Sequence, residues 1–246
     1  MEPQEKTEVT APKQPANIAA AIITGAAMIV IALVIIMHPS KSTGSLPGTE
    51  QQPATPTAVS SDIATVRESD KNHIRGNLAT AEIVIIEYSD SDCPFCVKFH
   101  PTLQQIVDDY KGKVAWVYRF FPLAMHPNAY NEAVALQCAS ILGGSNGFNT
   151  YIDSIINITV NPDPKSNEIL STVAVQQGLD AAKFKACLAD PATKTAIDNG
   201  IEEAGSIGAQ GTPFSIVANL KTGKQAIIPG AYSIEDVKKT IDSLMK

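Results

Sequence analysis

Hydrophobic and polar positions divide the chain into three regimes. Met1 to Asn17 is polar, with three Glu, two Lys and three Pro, a composition that predicts a disordered tail. Ile18 to Met37 is twenty residues without a charge. At about 1.5 Å per residue a helix of that length spans roughly 30 Å, the thickness of a bilayer core. His38 to Ser60 holds four Pro among many Ser and Thr and reads as an extended, semi-rigid tether. Beyond it, short apolar runs alternate with polar breaks, as in a globular domain.

Within that domain the β-branched run Ile83-Val84-Ile85-Ile86 predicts a strand over Glu82–Tyr88, buried on both faces. Asp90, Ser91 and Asp92 break the run and suit a helix N-cap. A helix follows over Cys93–Tyr110, with Lys111-Gly112 as its stop. A second strand, Val114–Phe120, makes a right-handed β-α-β unit with parallel strands. Ala129–Leu142, closed by Gly143-Gly144, then Phe148–Asn157, Glu168–Gln177, Ala181–Leu188 and Pro191–Ile207 are helical. Phe214–Ala218 and Gln225–Ile228 form a hairpin around Lys221-Thr222-Gly223. A last helix, Ile234–Met245, has Ser233 as N-cap and Asp236 at its third position. Ser61 to Thr80 is ambiguous, with a polar turn at Asp70–Gly76. The order β-α-β, helices, β-β-α gives an α/β class.

Composition narrows the function. A net charge of −6 without a basic patch argues against a nucleic-acid partner. The apolar run at 18–37 is longer than the usual 7–15 residues of a signal-peptide core, and no clear A-x-A site follows. An uncleaved anchor is therefore preferred over a cleaved signal peptide. Lys6, Lys13 and the amino terminus before the span, against Lys41 after it, lean toward a cytoplasmic N-terminus. No cysteine follows the span closely enough for a lipoprotein anchor.

The four cysteines are Cys93, Cys96, Cys138 and Cys187, which allow three ways of forming two disulfides. Cys93 and Cys96 flank Pro94-Phe95 where the first strand runs into a helix, with Pro94 where its missing N–H costs little. A thiol at a helix N-terminus faces unpaired N–H groups and the positive end of the dipole, which favour the thiolate. Cys93 then reads as the accessible nucleophile and Cys96, one turn on, as the shielded resolving thiol. The alternatives are a structural disulfide or half of a zinc site. Zinc needs two more ligands at suitable spacing, and His100 is the one nearby candidate. Cys138 and Cys187 are either two buried free thiols or, in an oxidising compartment, a bridge between two insertion helices.

The stretch Cys93-Pro94-Phe95-Cys96 after a hydrophobic strand resembles the active site of thioredoxin-fold oxidoreductases, nearer to the DsbA-like thiol oxidases than to thioredoxin. Glu87, six residues before Cys93, matches the superfamily's buried acid, and Pro101, eight after it, matches the proline that kinks the active-site helix. Gly211-Thr212-Pro213 matches the cis-proline loop that faces the cysteines. The resemblance covers roughly Asn72 to Lys246. It implies a thioredoxin core with a helical insertion at 126–207, in a domain spanning 72–246. Ahead of it lie a tail at 1–17, an anchor at 18–37 and a tether at 38–71.

The resemblance also assigns roles. Glu87 would lie beneath the cysteines and exchange a proton with Cys96 through water, where the plain alternative is a solvent-facing strand carboxylate. The backbone beside cis-Pro213 would pair with an extended peptide, and Thr212 would tune redox behaviour. Pro94 and Phe95 would set the thiolate environment. The DsbA pattern has histidine where this chain has Phe95, so one source of positive charge beside Cys93 is missing. Phe121-Pro122-Leu123 and His126-Pro127 resemble a recurring family turn, in which His126 would cap the next helix. His100 is expected along the active-site helix without catalytic duty, Phe120 and Phe121 in the core, and Trp116 away from the site.

The function so implied is donation of disulfides to reduced exported proteins on the extracytoplasmic side of a membrane. Reoxidation would come from a DsbB-like or VKOR-like quinone-linked membrane oxidase, and no bound metal or organic cofactor is implied. Two alternatives stand beside it. One is a membrane-tethered reductase or isomerase. The other, of a different class, is a chaperone-like binding module that kept the fold without the chemistry.

Overall fold

The computed structural model describes residues 65–158 and 166–246. The expected tail, anchor and most of the tether fall outside the described residues. Among the described residues no helix is long and apolar enough to cross a membrane.

Five strands form one sheet: β1 (Ile74–Arg75), β2 (Ile83–Ser89), β3 (Val114–Phe120), β4 (Phe214–Asn219) and β5 (Gln225–Ile228), in the order β1-β3-β2-β4-β5. β2 and β3 are parallel, and every other pairing is antiparallel. The parallel pair is joined by α1 (Pro94–Asp109), the crossover that the β-α-β reading requires. All seven residues of β2 and all seven of β3 are buried, which explains why β2 lacks polar alternation at its start.

One face of β2 carries Ile83 and Ile85, packed with Phe99, Leu103 and Ile106 of α1 and with residues of α2 (Ala129–Ile158) and α6 (Ile234–Leu244). The other face carries Val84, Ile86 and Tyr88, packed with Ala204, Phe214 and Ile216. Ala204 belongs to α5 (Pro191–Ser206), which lies so close to β3 that a Cβ on Gly200 would fall 2.6 Å from the Phe120 carbonyl oxygen. The insertion consists of α2 (Ala129–Ile158), α3 (Asn167–Gln176), α4 (Ala181–Ala189) and α5, within the expected 126–207.

The two helices read over Ala129–Leu142 and Phe148–Asn157 both form, as the two parts of α2 on either side of a break at Gly144, whose φ of 59° and ψ of −155° are non-helical and open to glycine. Two expectations change. The ambiguous stretch contains β1, a two-residue strand whose register is set by β3, Ile74 opposite Val117 and Arg75 opposite Trp116. The folded part also begins by Thr65 rather than at Asn72. A 3-10 turn at Glu68–Asp70 is bound to β3 through Arg119, whose guanidinium reaches both Asp70 carboxylate oxygens at 3.2 and 2.7 Å and the Thr65 carbonyl at 2.8 Å.

Candidate active site

The site begins where β2 ends. Asp90 turns back on itself, one carboxylate oxygen accepting the Asp92 N–H at 2.9 Å. This turn delivers Cys93 as the N-cap of α1, with φ −80°, ψ 122° and Pro94 in the first helical position. The acidic residues expected to cap the helix instead build the turn before it. With no side-chain cap in place, the first amides of α1 remain available to the Cys93 sulfur.

Both active-site cysteines are free thiols and both are buried, Cys93 at 3% exposure and Cys96 at 2%. The expected accessible nucleophile is thus nearly covered. Part of its cover is the opposing loop. The Thr212–Pro213 bond is cis, and the Cys93 Sγ lies 3.5 Å from the Thr212 carbonyl oxygen. Burial leaves the two sulfurs electrostatically unlike. The Cys96 thiol donates to Cys93, and with help from the Thr212 side chain and the amides of Cys96 and Phe95 it overcomes burial, pulling the Cys93 thiol down to about 5. The Thr212 hydroxyl is buried and turns to the Cys93 sulfur only when that sulfur is charged. Burial pushes Cys96 up, reinforced by its bond to Cys93 and by the charges of Glu87 and Cys93.

Glu87 does lie beneath the cysteines. It is 1% exposed, and burial raises its carboxyl to about 7. Ser89, two residues on along the same face of β2, donates from Oγ to Glu87 Oε1 at 2.8 Å and pulls the other way. The indole of Trp116 is close enough to act in the same sense, although its Nε1 reaches no acceptor at hydrogen-bonding geometry. Trp116, expected away from the site, therefore neighbours its acid: β3 lies beside β2 and Trp116 shares Glu87's face.

The surroundings sort the remaining expectations. Phe95 points outward at 66% exposure, while Phe120 and Phe121 are core residues. His126 does not cap α2 through its side chain. Its Nδ1 meets Asp90 Oδ2 at 2.6 Å. Burial lowers its pKa, but the Asp90 hydrogen bond and charge, with Cys93 and Asp92 adding to them, raise it on balance. A cation is thereby favoured near Cys93 although the CxxC dipeptide holds none. His100, four residues past Cys96, is buried against Trp116 and bonded to Asp153 at 2.8 Å. Cys138 and Cys187 are bridged, joining α2 to α4, with Cα atoms 5.7 Å apart. Sequence reasoning passed over Ser89 and the Asp90–His126 pair. The strand alternation that places Glu87 and Ser89 on one face was the available signal for the first. The second depends on a loop arriving from beyond β3 and left no local signal.

Beside the cis-proline loop a cleft of about 310 Å³ is lined by Gly211, Thr212, Pro213 and Phe214 on one side and Pro229 and Gly230 on the other. Such an opening beside the cis-proline loop, whose Thr212 carbonyl is also reached by the Cys93 sulfur, can accept an extended peptide.

Comparison with known proteins agrees with this geometry. A thioredoxin family model matches residues 68–243. The crystal structure of Pseudomonas aeruginosa DsbA2 superposes with a TM-score of 0.57 at 28% identity, covering 70% of this chain and 93% of that one. A putative protein-disulfide oxidoreductase of Rickettsia conorii is 25% identical over 198 residues, 77% of this chain and 66% of that protein. The Na(+)/H(+) antiporter NhaA 3 of Salinispora tropica is 27% identical over 183 residues, 74% of this chain. The chain spans 26% or less of the length of the first NhaA antiporters that it matches.

Proposed function

The chain belongs to the thioredoxin family, and on that premise we propose that it is a DsbA-like thiol–disulfide oxidoreductase that donates the Cys93–Cys96 disulfide to reduced exported proteins. The observation that carries this reading is the placement of Cys93 at the N-cap of α1 against the Thr212 carbonyl, with Cys96 buried behind it, which draws one sulfur down and pushes the other up. A stabilised Cys93 thiolate favours the reduced pair and so makes the disulfide the more oxidising form.

The cycle follows from that asymmetry. A client thiolate attacks the Cys93 sulfur of the disulfide, forming a mixed disulfide and expelling Cys96. A second client thiolate then attacks the client sulfur, and Cys93 departs as the stable thiolate. The client sits as an extended strand along the backbone next to Pro213, with the exposed ring of Phe95 touching its apolar side chains. Electrons leave the dithiol to a quinone-linked membrane oxidase. The apolar run at 18–37 holds the domain at the membrane, on its extracytoplasmic side.

The test is the reduction potential of Cys93–Cys96, from equilibration with glutathione and mass tagging of free thiols. The Cys138–Cys187 bridge is followed separately by peptide mapping. A value above about −200 mV supports disulfide donation, and a value near about −270 mV, where thioredoxin lies, replaces it with a tethered reductant.

A further inference from the structure

Expulsion of Cys96 poses a problem that the site must solve. The sulfur leaves as a thiolate in an environment hostile to charge, with Cys96 buried beside Glu87. Glu87 has the proton to give, but a buried carboxyl and a buried thiol need a carrier between them.

We propose that the Ser89 hydroxyl is that carrier, a proton relay from Glu87 to Cys96. The inference rests on the oxidoreductase reading and deepens it. Ser89 is 3% exposed, its Oγ is 2.8 Å from Glu87 Oε1, and it acts on the Cys96 thiol against the burial that raises it. A hydroxyl both donates and accepts. In the dithiol it donates to the Glu87 carboxylate, while the Cys96 S–H is turned to the Cys93 sulfur. After Cys96 leaves, the polarity reverses: the Glu87 proton passes to Ser89 Oγ, and the Ser89 proton passes to the Cys96 sulfur. One S–S bond has broken and one has formed, the client sulfur is oxidised, and one proton has moved from carboxyl to thiolate with no change in Ser89. Tyr118 stays protonated, held so by burial and by the charges of Cys96, Glu87 and Asp90. The other charged groups nearby are committed elsewhere, Asp90 to His126 and Asp153 to His100 and Arg75.

The experiment is single-turnover reduction of the oxidised protein by glutathione, across pH and in mixtures of light and heavy water. Ser89→Ala is expected to slow the reaction about tenfold at neutral pH, with the Cys93 thiolate titration at 240 nm unchanged. Loss of the Ser89 bond raises the Glu87 carboxyl and keeps it protonated, so a slower reaction is not explained by a missing proton. Ser89→Thr, which keeps the hydroxyl, restores the rate, and Ser89→Ala adds nothing in a Glu87→Gln background. The wild-type isotope dependence bows, because two protons move together. Wild-type speed in Ser89→Ala, persistent slowing in the Glu87→Gln background, or a straight isotope dependence overturns the relay. Should Ser89→Ala fail to fold, Ser89→Thr and the wild-type isotope data still decide. A wild-type disulfide that glutathione does not reduce overturns the oxidoreductase reading itself, which separates the two failures.

Discussion

Glu87 shows how a single residue trades stability for chemistry. At low pH its carboxyl is neutral in folded and unfolded chains alike and costs nothing. As pH rises from the ordinary 4.5 toward about 7, the unfolded chain releases the proton while the folded chain keeps it. The folded state therefore loses stability with rising pH, by about 3 kcal/mol in full. Glu87→Gln is expected to match the wild type near pH 4.5 and to exceed it by about that amount at pH 8, in urea unfolding of the reduced protein. A difference of equal size at both pH values would show that ionisation is not its cause. The same variant loses the proton donor and slows thiol exchange. At this scale the chemistry was legible in sequence wherever it is local. Cys93 and Cys96 announce themselves by spacing, Glu87 and Pro213 by the family resemblance, and the structure brings all four together. His126 and Trp116 were misread because their meaning is set by what lies opposite them in space: Asp90 for one, Glu87 across the strand pair for the other.

Secondary-structure elements were legible where periodicity is long and capping is local. β3 and β5 fall where expected, and Ser233 caps α6 by accepting the Asp236 N–H at 3.2 Å. β1 was missed because two residues carry no periodicity and their pairing comes from β3. The break at Gly143-Gly144 and a helix on either side of it were legible, since a glycine that leaves helical φ and ψ stops one helix before the next begins. The insertion is held to itself by the Cys138–Cys187 bridge across a sequence separation of 49. A loop of that length is worth about 4 kcal/mol in the chain-entropy model. Replacing both cysteines by Ser is expected to lower the melting temperature by about 10 °C while leaving the Cys93 thiolate titration in place, since the bridge lies in α2 and α4 and touches neither active-site sulfur. Loss of that titration with the bridge would mean that the insertion shapes the site directly.

At the scale of the whole molecule, the sheet is held from both faces and its N-terminal approach is pinned to it. Arg119 is buried, and besides Asp70 and Thr65 it reaches the Tyr88 hydroxyl at 2.8 Å and Glu203 of α5 at 2.9 Å. One guanidinium thus ties residues 65–70, β2, β3 and α5. Arg119→Leu takes from Asp70 its buried cation, leaving only the longer pair with the half-exposed Arg67 at 3.8 Å, and is expected to cost about 3 kcal/mol. Limited proteolysis checks where the loss falls: cleavage should appear first around residues 65–75, and cleavage starting in α6 would contradict the pinning. This network could not be read from sequence. Arg119 sits in an otherwise apolar strand, and its partners are 49 and 84 residues away.

On the proposed activity, a catalyst of disulfide formation whose own scaffold contains a disulfide is also its own client. Cys138 is fully enclosed once α2 and α4 have docked. The bridge therefore has to close while the chain is still open, before Cys93 and Cys96 are assembled to act from within the same molecule. On that activity, copies made earlier are able to close the bridge of each new one, and competence passes down the population as in a lineage. A cell that keeps a few oxidised copies restarts quickly. One that has lost them all begins again at the pace of uncatalysed chemistry.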